Sequence, residues 1–210
     1  KKPMKSLHLV TAVLAQIANF HSTKANFSAY DVTSKLRDKV NSGEAIDAIL
    51  PANGAYPSLA LQTKPLAKEK LFYSRIAIGV KQAKVKALGW DKHAPTWEQI
   101  ARVAKAGQFR YGMTNPITSN TGMSTLFAVA SAVAHKTEDL TVAEVNQGVL
   151  KDFLSGHKLT AGSSGWLVDA YLKEQQQLDG LINYESVLLR LNQNPALIDK
   201  LTLIYPEDGV

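Results

Sequence analysis

The chain has 210 residues, of which 45% are hydrophobic and 20% are charged. This composition supplies the core of one large domain or two small lobes, and it excludes an intrinsically disordered chain. The net charge is +6 and cysteine is absent, which excludes disulfide bonds, thiolate zinc sites and cysteine nucleophiles. No apolar run reaches the roughly 18–20 residues of a membrane-spanning helix, and no secretory signal is recognisable.

The basic residues are spread along the chain, and the densest group, Lys81, Lys84 and Lys86, is short. A basic surface attracts anionic partners at long range. Nucleic-acid binding would need a basic stripe with aromatic stacking residues or a known module, and the sequence contains neither. We therefore interpret these lysines as a solvated surface and expect no nucleic-acid partner.

The first third of the chain predicts strands and one helix. Residues 6–13 (SLHLVTAV) form a nearly continuous apolar run, typical of a strand that is buried on both faces. In residues 31–41 apolar side chains recur every four residues and Gly43 follows, which predicts a short helix with a glycine cap. Residues 45–50 (AIDAIL) predict a short strand, and residues 71–80 (LFYSRIAIGV) predict a longer one.

The segment 81–95 is rich in lysine and weakly patterned, which favours a crossing between two lobes. Thr96 and Gln99 then form a capping box at the start of a helix that Gly107 ends. A return crossing is expected near residues 201–205 (LTLIY), which predict the last strand.

Residues 108–135 predict a buried strand, a polar turn and a long helix. Apolar and polar residues alternate in QFRYGM, the period of a strand, and from Met123 onward apolar residues recur on one face of a helix. The turn between them, TNPITSNTG, is dense in hydroxyl and amide groups. A helix that begins there offers unpaired backbone N–H groups and a partial positive charge to an anionic or strongly polar ligand. Ordinary helix capping would use the same residue types.

The remaining sequence continues the alternation of helices and strands. A capping box at 141–144 (TVAE) opens a helix, and Ser163 or Ser164 caps the next one. Residues 181–184 (LINY) predict a short strand, and residues 185–192 predict a helix. Strands and helices that alternate throughout predict an α/β protein with parallel sheets.

Small polar residues recur at the predicted carboxyl ends of the strands, where ligands bind in open α/β sheets. Hydroxyl and amide groups hydrogen-bond a ligand without carrying charge, although they are also common in caps and turns. The candidates are Asn53, Ser74, Thr118, Ser119, Asn120, Thr121, Ser163, Ser164, Asn183, Tyr184, Glu185 and Ser186. Together they predict a cleft that binds a small solute and releases it unchanged.

Catalytic sites have weaker support. The five histidines lack the spacing of a metal site, and there is no Walker loop and no G-x-G-x-x-G. The string GSSGW resembles a nucleophile elbow only loosely, because Trp166 stands where the second glycine belongs. Tyr184 and Glu185 could form an acid–base pair, but a glutamate in the first turn of a helix explains them better. We therefore predict no catalytic residue, no metal site and no cofactor.

Three strings carry a resemblance to a known family: MTNPITSNTGMSTLFAVASA, LINYESVLL and LIYPEDGV. They resemble bacterial extracellular solute-binding proteins of the type 2 periplasmic-binding fold. The resemblance is to the branch related to molybdate- and sulfate-type binders, whose members are sometimes joined to a von Willebrand A domain. It covers roughly residues 45–210. It implies two α/β lobes, each a mostly parallel sheet flanked by helices, that close over a ligand about a hinge.

The resemblance also implies that ligand groups come from strand-end loops and helix N-termini of both lobes. In the first-strand loop, TAVLAQIANF, Thr11 is the polar candidate where the family has a Ser/Gly-rich turn. The other positions implied by motif are Asn53, Ser74, Thr118, Ser119, Asn120, Thr121, Asn183, Tyr184 and Glu185. We expect residues 1–80 with 202–210 to form a first lobe, truncated at its C-terminal end, and residues 81–201 to form the second.

The expected protein is a segment of a longer, extracytoplasmic chain whose export signal has been removed. The leading hypothesis is a non-enzymatic domain that captures a small polar or anionic solute for a membrane transporter or a fused neighbouring domain. The ligand class stays open among anions, amino acids, peptides and sugars. One alternative is a surface protein-interaction module that keeps the fold without a small-molecule ligand. A hydrolase or transferase ranks last, because it would need a matched nucleophile and base.

Overall fold

The computed structural model describes residues 73–117 and 119–209, together with 38–44, 46, 49, 52, 58 and 61–70. The chain divides into two compact units, Lys1–Leu71 and Phe72–Val210. In the first unit, residues 38–41 are helical and Gly43 has a φ of 81°, the left-handed conformation of a glycine cap. The predicted strand at 6–13, most of the one at 45–50, and the candidates Thr11, Asn53 and Thr118 lie outside the described residues.

Strands and helices alternate through the described part of Phe72–Val210. The strands are β1 (Ile76–Lys81), β2 (Tyr111–Thr114), β3 (His157–Ala161), β4 (Gly180–Tyr184) and β5 (Leu201–Ile204). The helices are α1 (Gln82–Leu88), α2 (Trp97–Lys105), α3 (Asn120–Ala134), α4 (Gln147–Leu154), α5 (Ser164–Glu174) and α6 (Glu185–Leu191). A 3-10 turn, Val142–Glu144, precedes α4.

The five strands form one sheet in the order β3-β2-β4-β1-β5. Strand β2 is parallel to β3 and β4, whereas β1 is antiparallel to both β4 and β5. The sheet is therefore mixed: four of its strands run in one direction and β1 runs in the other, so the expected parallel pairing is found for β3, β2 and β4 but not around β1. An alternating apolar pattern places a residue on a face of the sheet but does not reveal the direction of the strand.

Helices cover both faces of this sheet. One face carries a cluster that includes Ile78, Trp97, Tyr111, Phe153 and Ile182. The other face carries a cluster that includes Leu159, Leu167, Tyr171, Leu181 and Leu188. Because both faces are buried, the loops at the strand ends are the part of the sheet that remains accessible to a ligand.

Local capping signals are confirmed at several helix starts. Thr96 and Gln99 form the predicted capping box of α2, and Ser163 is the N-cap of α5. The box at 141–144 also forms, but it opens the 3-10 turn, and Asn146 caps α4. These features depend on residues a few positions apart, so the sequence alone reveals them.

Two segments differ from the expectation. The stretch 81–95, interpreted as a weakly patterned crossing, contains helix α1, which ends at Gly89 with a φ of 73°. The strand expected at 71–80 begins at Ile76 among the described residues. Helix α1 was overlooked because five of its seven residues are Gln, Ala or Lys, which leaves no clear apolar face.

The residues after β5 pack against the start of α2. The backbone N–H of Trp97 donates to both carboxylate oxygens of Asp208, at 3.0 and 3.2 Å. The indole Nε1 of Trp97 donates to the carbonyl of Gly209 at 2.6 Å. Asp208 therefore places a negative charge at the N-terminus of α2, where the helix dipole favours it.

Candidate functional site

The order of the strands creates a topological switch point at one edge of the sheet. After β2 the chain proceeds to β3 on one side, and after β4 it proceeds to β5 on the other. The connections that leave the neighbouring strands β2 and β4 thus run in opposite directions. In open α/β sheets, such a point is where ligands bind beyond the carboxyl ends of the strands. We call this region the carboxyl edge and define it by the ends of β2, β3 and β4.

Four hydroxyl groups meet at the carboxyl edge. The Oγ1 atom of Thr121 lies 2.8 Å from Thr114 Oγ1, 3.0 Å from Ser119 Oγ and 2.9 Å from Ser164 Oγ. All four side chains are buried, and Thr114 and Thr121 are 0% exposed. We call these four residues the hydroxyl cluster. It joins the end of β2 to the first turns of α3 and α5.

The hydroxyl cluster holds more protons than its internal hydrogen bonds use. Four hydroxyl groups carry four protons and form three mutual hydrogen bonds. Thr121 has one proton and two lone pairs, so its three contacts use its whole capacity. One O–H of the other three residues therefore has no acceptor within the described part of the chain.

Two helix N-termini meet at this cluster. Ser119 is the N-cap of α3, and its side chain makes no capping hydrogen bond. Within the described residues, the first-turn N–H groups of Thr121 and Gly122 in α3 have no acceptor, and the same holds for Ser164 and Gly165 in α5. Each helix also places the positive end of its dipole here. The arrangement resembles the helix-terminus sites that hold anions.

Gly122 allows α3 to start this close to β2. A Cβ at Gly122 would lie 2.3 Å from the carbonyl oxygen of Thr114 and 2.9 Å from the backbone nitrogen of Pro116. Both distances are far inside van der Waals contact with backbone atoms, which cannot rotate away. A side chain at this position would therefore move the helix N-terminus away from the strand end.

The end of β4 is hydrogen-bonded to both helices. The side-chain amide of Asn120 donates to the hydroxyl oxygen of Tyr184 at 2.9 Å, and Asn183 Nδ2 donates to the carbonyl of Ser164 at 2.9 Å. Burial raises the pKa of Tyr184, and the hydrogen bond from Asn120 opposes this rise in part. Tyr184 is thus a neutral phenol at physiological pH, and its proton has no acceptor among the described residues.

Glu185 is engaged on the side of β5. The hydroxyl of Tyr205 donates to Glu185 Oε1 at 2.6 Å, and the Glu185 N–H donates to the carbonyl of Arg75 at 2.9 Å. Burial, followed by this hydrogen bond, raises the pKa of Tyr205 to about 12. One oxygen of the Glu185 carboxylate therefore already has a partner within the protein.

The structure brings most of the predicted site residues together. The residues at the carboxyl edge are Ser119, Asn120, Thr121, Ser163, Ser164, Asn183 and Tyr184. Ser74 is exposed and precedes β1. Because Ile76, the first residue of β1, pairs with Tyr184 at the end of β4, Ser74 lies at the same edge of the sheet. Glu185 is at the same edge with its side chain directed to Tyr205.

The sequence interpretation missed Thr114 and Gly122. Thr114 is the last residue of β2, whereas the sequence interpretation placed it at the start of the polar turn TNPITSNTG and did not name it as a candidate. A polar residue at the last position of a buried strand was the available signal. A glycine within the first turn of a long helix was the signal for Gly122, because glycine weakens a helix unless close packing requires it.

The chemistry of the carboxyl edge is that of hydrogen-bond donation. Among the described residues, no group of three or more His, Asp or Glu side chains could hold a metal ion. Within the same residues, no helix has the length and apolar character needed to cross a membrane. A surface depression on α4, lined by Gln147, Leu150, Lys151, Leu154 and Ser155, contains none of the predicted site residues.

A comparison with protein families gives an independent identification. A search of curated proteins gave no match. The family model described as bacterial extracellular solute-binding protein matches residues 8–210, nearly the whole chain. The mixed α/β fold of Phe72–Val210 is compatible with that family. On the strength of this match, the chain belongs to the bacterial extracellular solute-binding protein family.

Proposed function

We propose that the carboxyl edge of Phe72–Val210 binds a small anionic or strongly polar solute outside the cytoplasm. The observation that carries this proposal is the hydrogen bond of 2.9 Å between Thr121 and Ser164. It joins the first turns of two helices, so both helix N-termini lie together at the carboxyl edge. Membership of an extracellular solute-binding family supports the same role.

The unused hydrogen-bonding capacity at this edge favours a ligand that accepts hydrogen bonds. Among the described residues, the donors without an acceptor are the N–H groups of Thr121, Gly122 and Ser164, the Tyr184 hydroxyl and one proton of the hydroxyl cluster. Oxyanions and carboxylates present acceptors only, so they match such a set. Fourteen basic and thirteen acidic residues nearly cancel in Phe72–Val210, so the preference for an anion arises from these local groups.

The proposed mechanism is capture without chemistry. Donors that are held in place before binding lose little entropy, and a ligand that makes no covalent bond is released unchanged. Binding selects a closed, hinge-bent state only to the extent that this state has the higher affinity. We include in the proposal a two-lobed type 2 fold, kinship with the molybdate- and sulfate-type branch, and delivery to a membrane transporter or a fused domain.

A thermal-shift screen of the 210-residue chain tests this function. The panel contains molybdate, sulfate and phosphate, together with amino acids, short peptides and sugars. A solute present at a hundred times its Kd adds about 2.7 kcal/mol to the stability of the folded state. We expect at least one anion to raise the melting temperature. A flat response to the whole panel would contradict solute binding and favour the alternative, a protein-interaction module.

Calorimetry on variants then locates the site. Asn120→Ala removes an amide at the carboxyl edge, and we expect the Kd to rise about tenfold, the effect of losing about 1.4 kcal/mol. Asn146→Ala is the matched control, since Asn146 caps α4 and takes no part in the carboxyl edge. The Kd of the control should equal that of the unmodified protein. An unchanged Kd in Asn120→Ala would place the ligand elsewhere.

A further inference from the structure

Two exposed apolar side chains flank the hydrogen-bond donors of the carboxyl edge. Trp166 is 40% exposed and Ile117 is 83% exposed. Trp166 lies in the first turn of α5, two residues after Ser164, and Ile117 lies two residues before Ser119. The turn before α3 and the first turn of α5, which both contribute to the hydroxyl cluster, therefore each carry one large apolar side chain at the surface.

The backbone that carries Ile117 and the ring of Trp166 are both in contact with neighbouring residues. The backbone N–H of Ile117 donates to Asn115 Oδ1 at 2.9 Å, which fixes the loop that carries it. Side chains in a helix lean toward its N-terminus, so the Trp166 ring lies over the residues before α5. Its ring carbons are 3.5 and 3.6 Å from the position of a Cβ at Gly162, the residue after β3. The indole ring thus lies beside the residue that follows β3, at the carboxyl edge.

This placement is unusual for tryptophan in this chain. The other two tryptophans, Trp90 and Trp97, are 8% and 0% exposed and belong to the core. Exposing a large aromatic surface to water is unfavourable, and such a surface next to polar groups that converge is typical of a ligand site. A bare tetrahedral oxyanion has no apolar surface with which to cover the ring.

We propose that the solute is an organic oxyanion, in which an anionic group is joined to a hydrocarbon or aromatic part. The anionic group binds the N–H groups of Thr121 and Ser164, and the apolar part packs on Trp166 with Ile117 at its side. This inference rests on the proposed function and specifies the class of its ligand. It distinguishes the site from one that takes a small inorganic oxyanion alone.

The test compares matched pairs of anions on the 210-residue chain: sulfate with benzenesulfonate, and acetate with phenylacetate. We expect the larger member of at least one pair to bind about tenfold more tightly, the effect of one aromatic packing contact. Trp166→Ala should abolish this difference and leave the Kd of the smaller anion unchanged. Trp166→Phe keeps an aromatic ring and should retain most of the difference.

Ile198→Ala is the control, because Ile198 is 63% exposed and its N–H is bonded to Gln175 at the opposite end of α5. It should leave all four affinities unchanged. Equal affinities within both pairs, together with tight binding of sulfate, would overturn the inference and leave the proposed function standing. An equal loss of affinity for both members of a pair in Trp166→Ala would also overturn the inference, since this result would assign Trp166 to the folding of the site. If none of the four anions binds and the thermal-shift screen is also flat, both the inference and the proposed function are contradicted.

Discussion

The side-chain amide of Asn120 donates a hydrogen bond of 2.9 Å to the hydroxyl oxygen of Tyr184, 64 positions further along the chain. This contact joins the first residue of α3 to the last residue of β4. It links the helix that follows β2 to the end of β4, and these are the two strands whose connections diverge. The phenol oxygen of Tyr184 accepts from Asn120, and its proton has no acceptor among the described residues.

Removing this phenol should weaken binding without unfolding the protein. We expect Tyr184→Phe to raise the Kd of the solute found by the screen about tenfold, through the loss of a donor worth about 1.4 kcal/mol. Tyr171→Phe is the matched control, since Tyr171 lies in the core on the other face of the sheet. Isothermal titration calorimetry measures both. Equal affinities in the two variants would exclude Tyr184 from the site.

The hydroxyl cluster should stabilise the fold as well as prepare the site. Thr121→Val removes the central hydroxyl and leaves the buried hydroxyls of Thr114 and Ser164 without their partner. A buried polar group without a partner costs about 1–3 kcal/mol, and we expect a loss of this size in urea unfolding. The exposed Thr160 offers a control, and Thr160→Val should change stability by less than about 0.5 kcal/mol. Similar losses in both variants would contradict the cluster's role.

Gly122 should tolerate no side chain. In Gly122→Ala the new Cβ would meet backbone atoms of Thr114 and Pro116, so we expect both lower stability and weaker solute binding. Gly148→Ala is the control, because Gly148 lies in the first turn of α4, where the nearest atom would be the side-chain oxygen of Asn146 at 3.3 Å. That replacement should change stability by no more than about 1 kcal/mol. Thermal unfolding followed by circular dichroism compares the two, and a stable Gly122→Ala variant would refute the close approach.

The loss of the hydroxyl group should lower the stability of the protein at one buried tyrosine and not at another. Tyr111 Oη donates to the carbonyl of Phe153 at 2.8 Å, whereas Tyr171 Oη is buried with no partner among the described residues. Tyr111→Phe should destabilise by about 1–2 kcal/mol, and Tyr171→Phe should be neutral or stabilising. Chemical denaturation gives both values. A destabilising Tyr171→Phe would reveal a hydrogen-bond partner, such as a buried water molecule.

The capping box at 141–144 should make stability depend on pH. The Glu144 carboxylate accepts hydrogen bonds from Lys136, which has the larger effect, and from Thr141. These contacts lower the pKa of Glu144 from 4.5 to about 2. A folded-state pKa below the unfolded value gives stability that is present above pH 4.5 and lost as the pH falls toward 2. Carboxyl NMR titration should find the low pKa in the unmodified protein and a higher one in Lys136→Met, in which the hydrogen bonds from Thr141 remain. An ordinary pKa in both proteins would contradict this contact.

Local sequence signals located many of the residues that meet at the carboxyl edge. The strand–turn–helix pattern around TNPITSNTG pointed to Ser119, Asn120 and Thr121, and the string INYES pointed to Asn183 and Tyr184. These residues lie together because the carboxyl ends of parallel strands share one edge of a sheet. The capping residues of α2 and α5 were also visible, because each cap involves residues within one turn of the helix.

Other features depend on contacts between distant parts of the chain. The reversal of β1 follows from its pairing with β4 and β5, about which an apolar pattern carries no information. Asp208 caps α2 from 111 positions away, and Tyr205 engages Glu185 from 20 positions away. The lobes expected from sequence divide between Val80 and Lys81, within β1. That division stays a prediction, as do the ligand roles of Thr11, Asn53 and Thr118.

Chemical-shift mapping of the backbone and side-chain amides tests the central claim most directly. The 210-residue chain, labelled with ¹⁵N, is titrated with the compound that gives the largest thermal shift. We predict that the largest changes fall on the backbone amides of Thr121, Gly122, Ser164 and Gly165 and on the side-chain amide of Asn120. Changes confined to the α4 depression around Leu150 and Leu154, with these five signals unmoved, would contradict a solute site at the carboxyl edge.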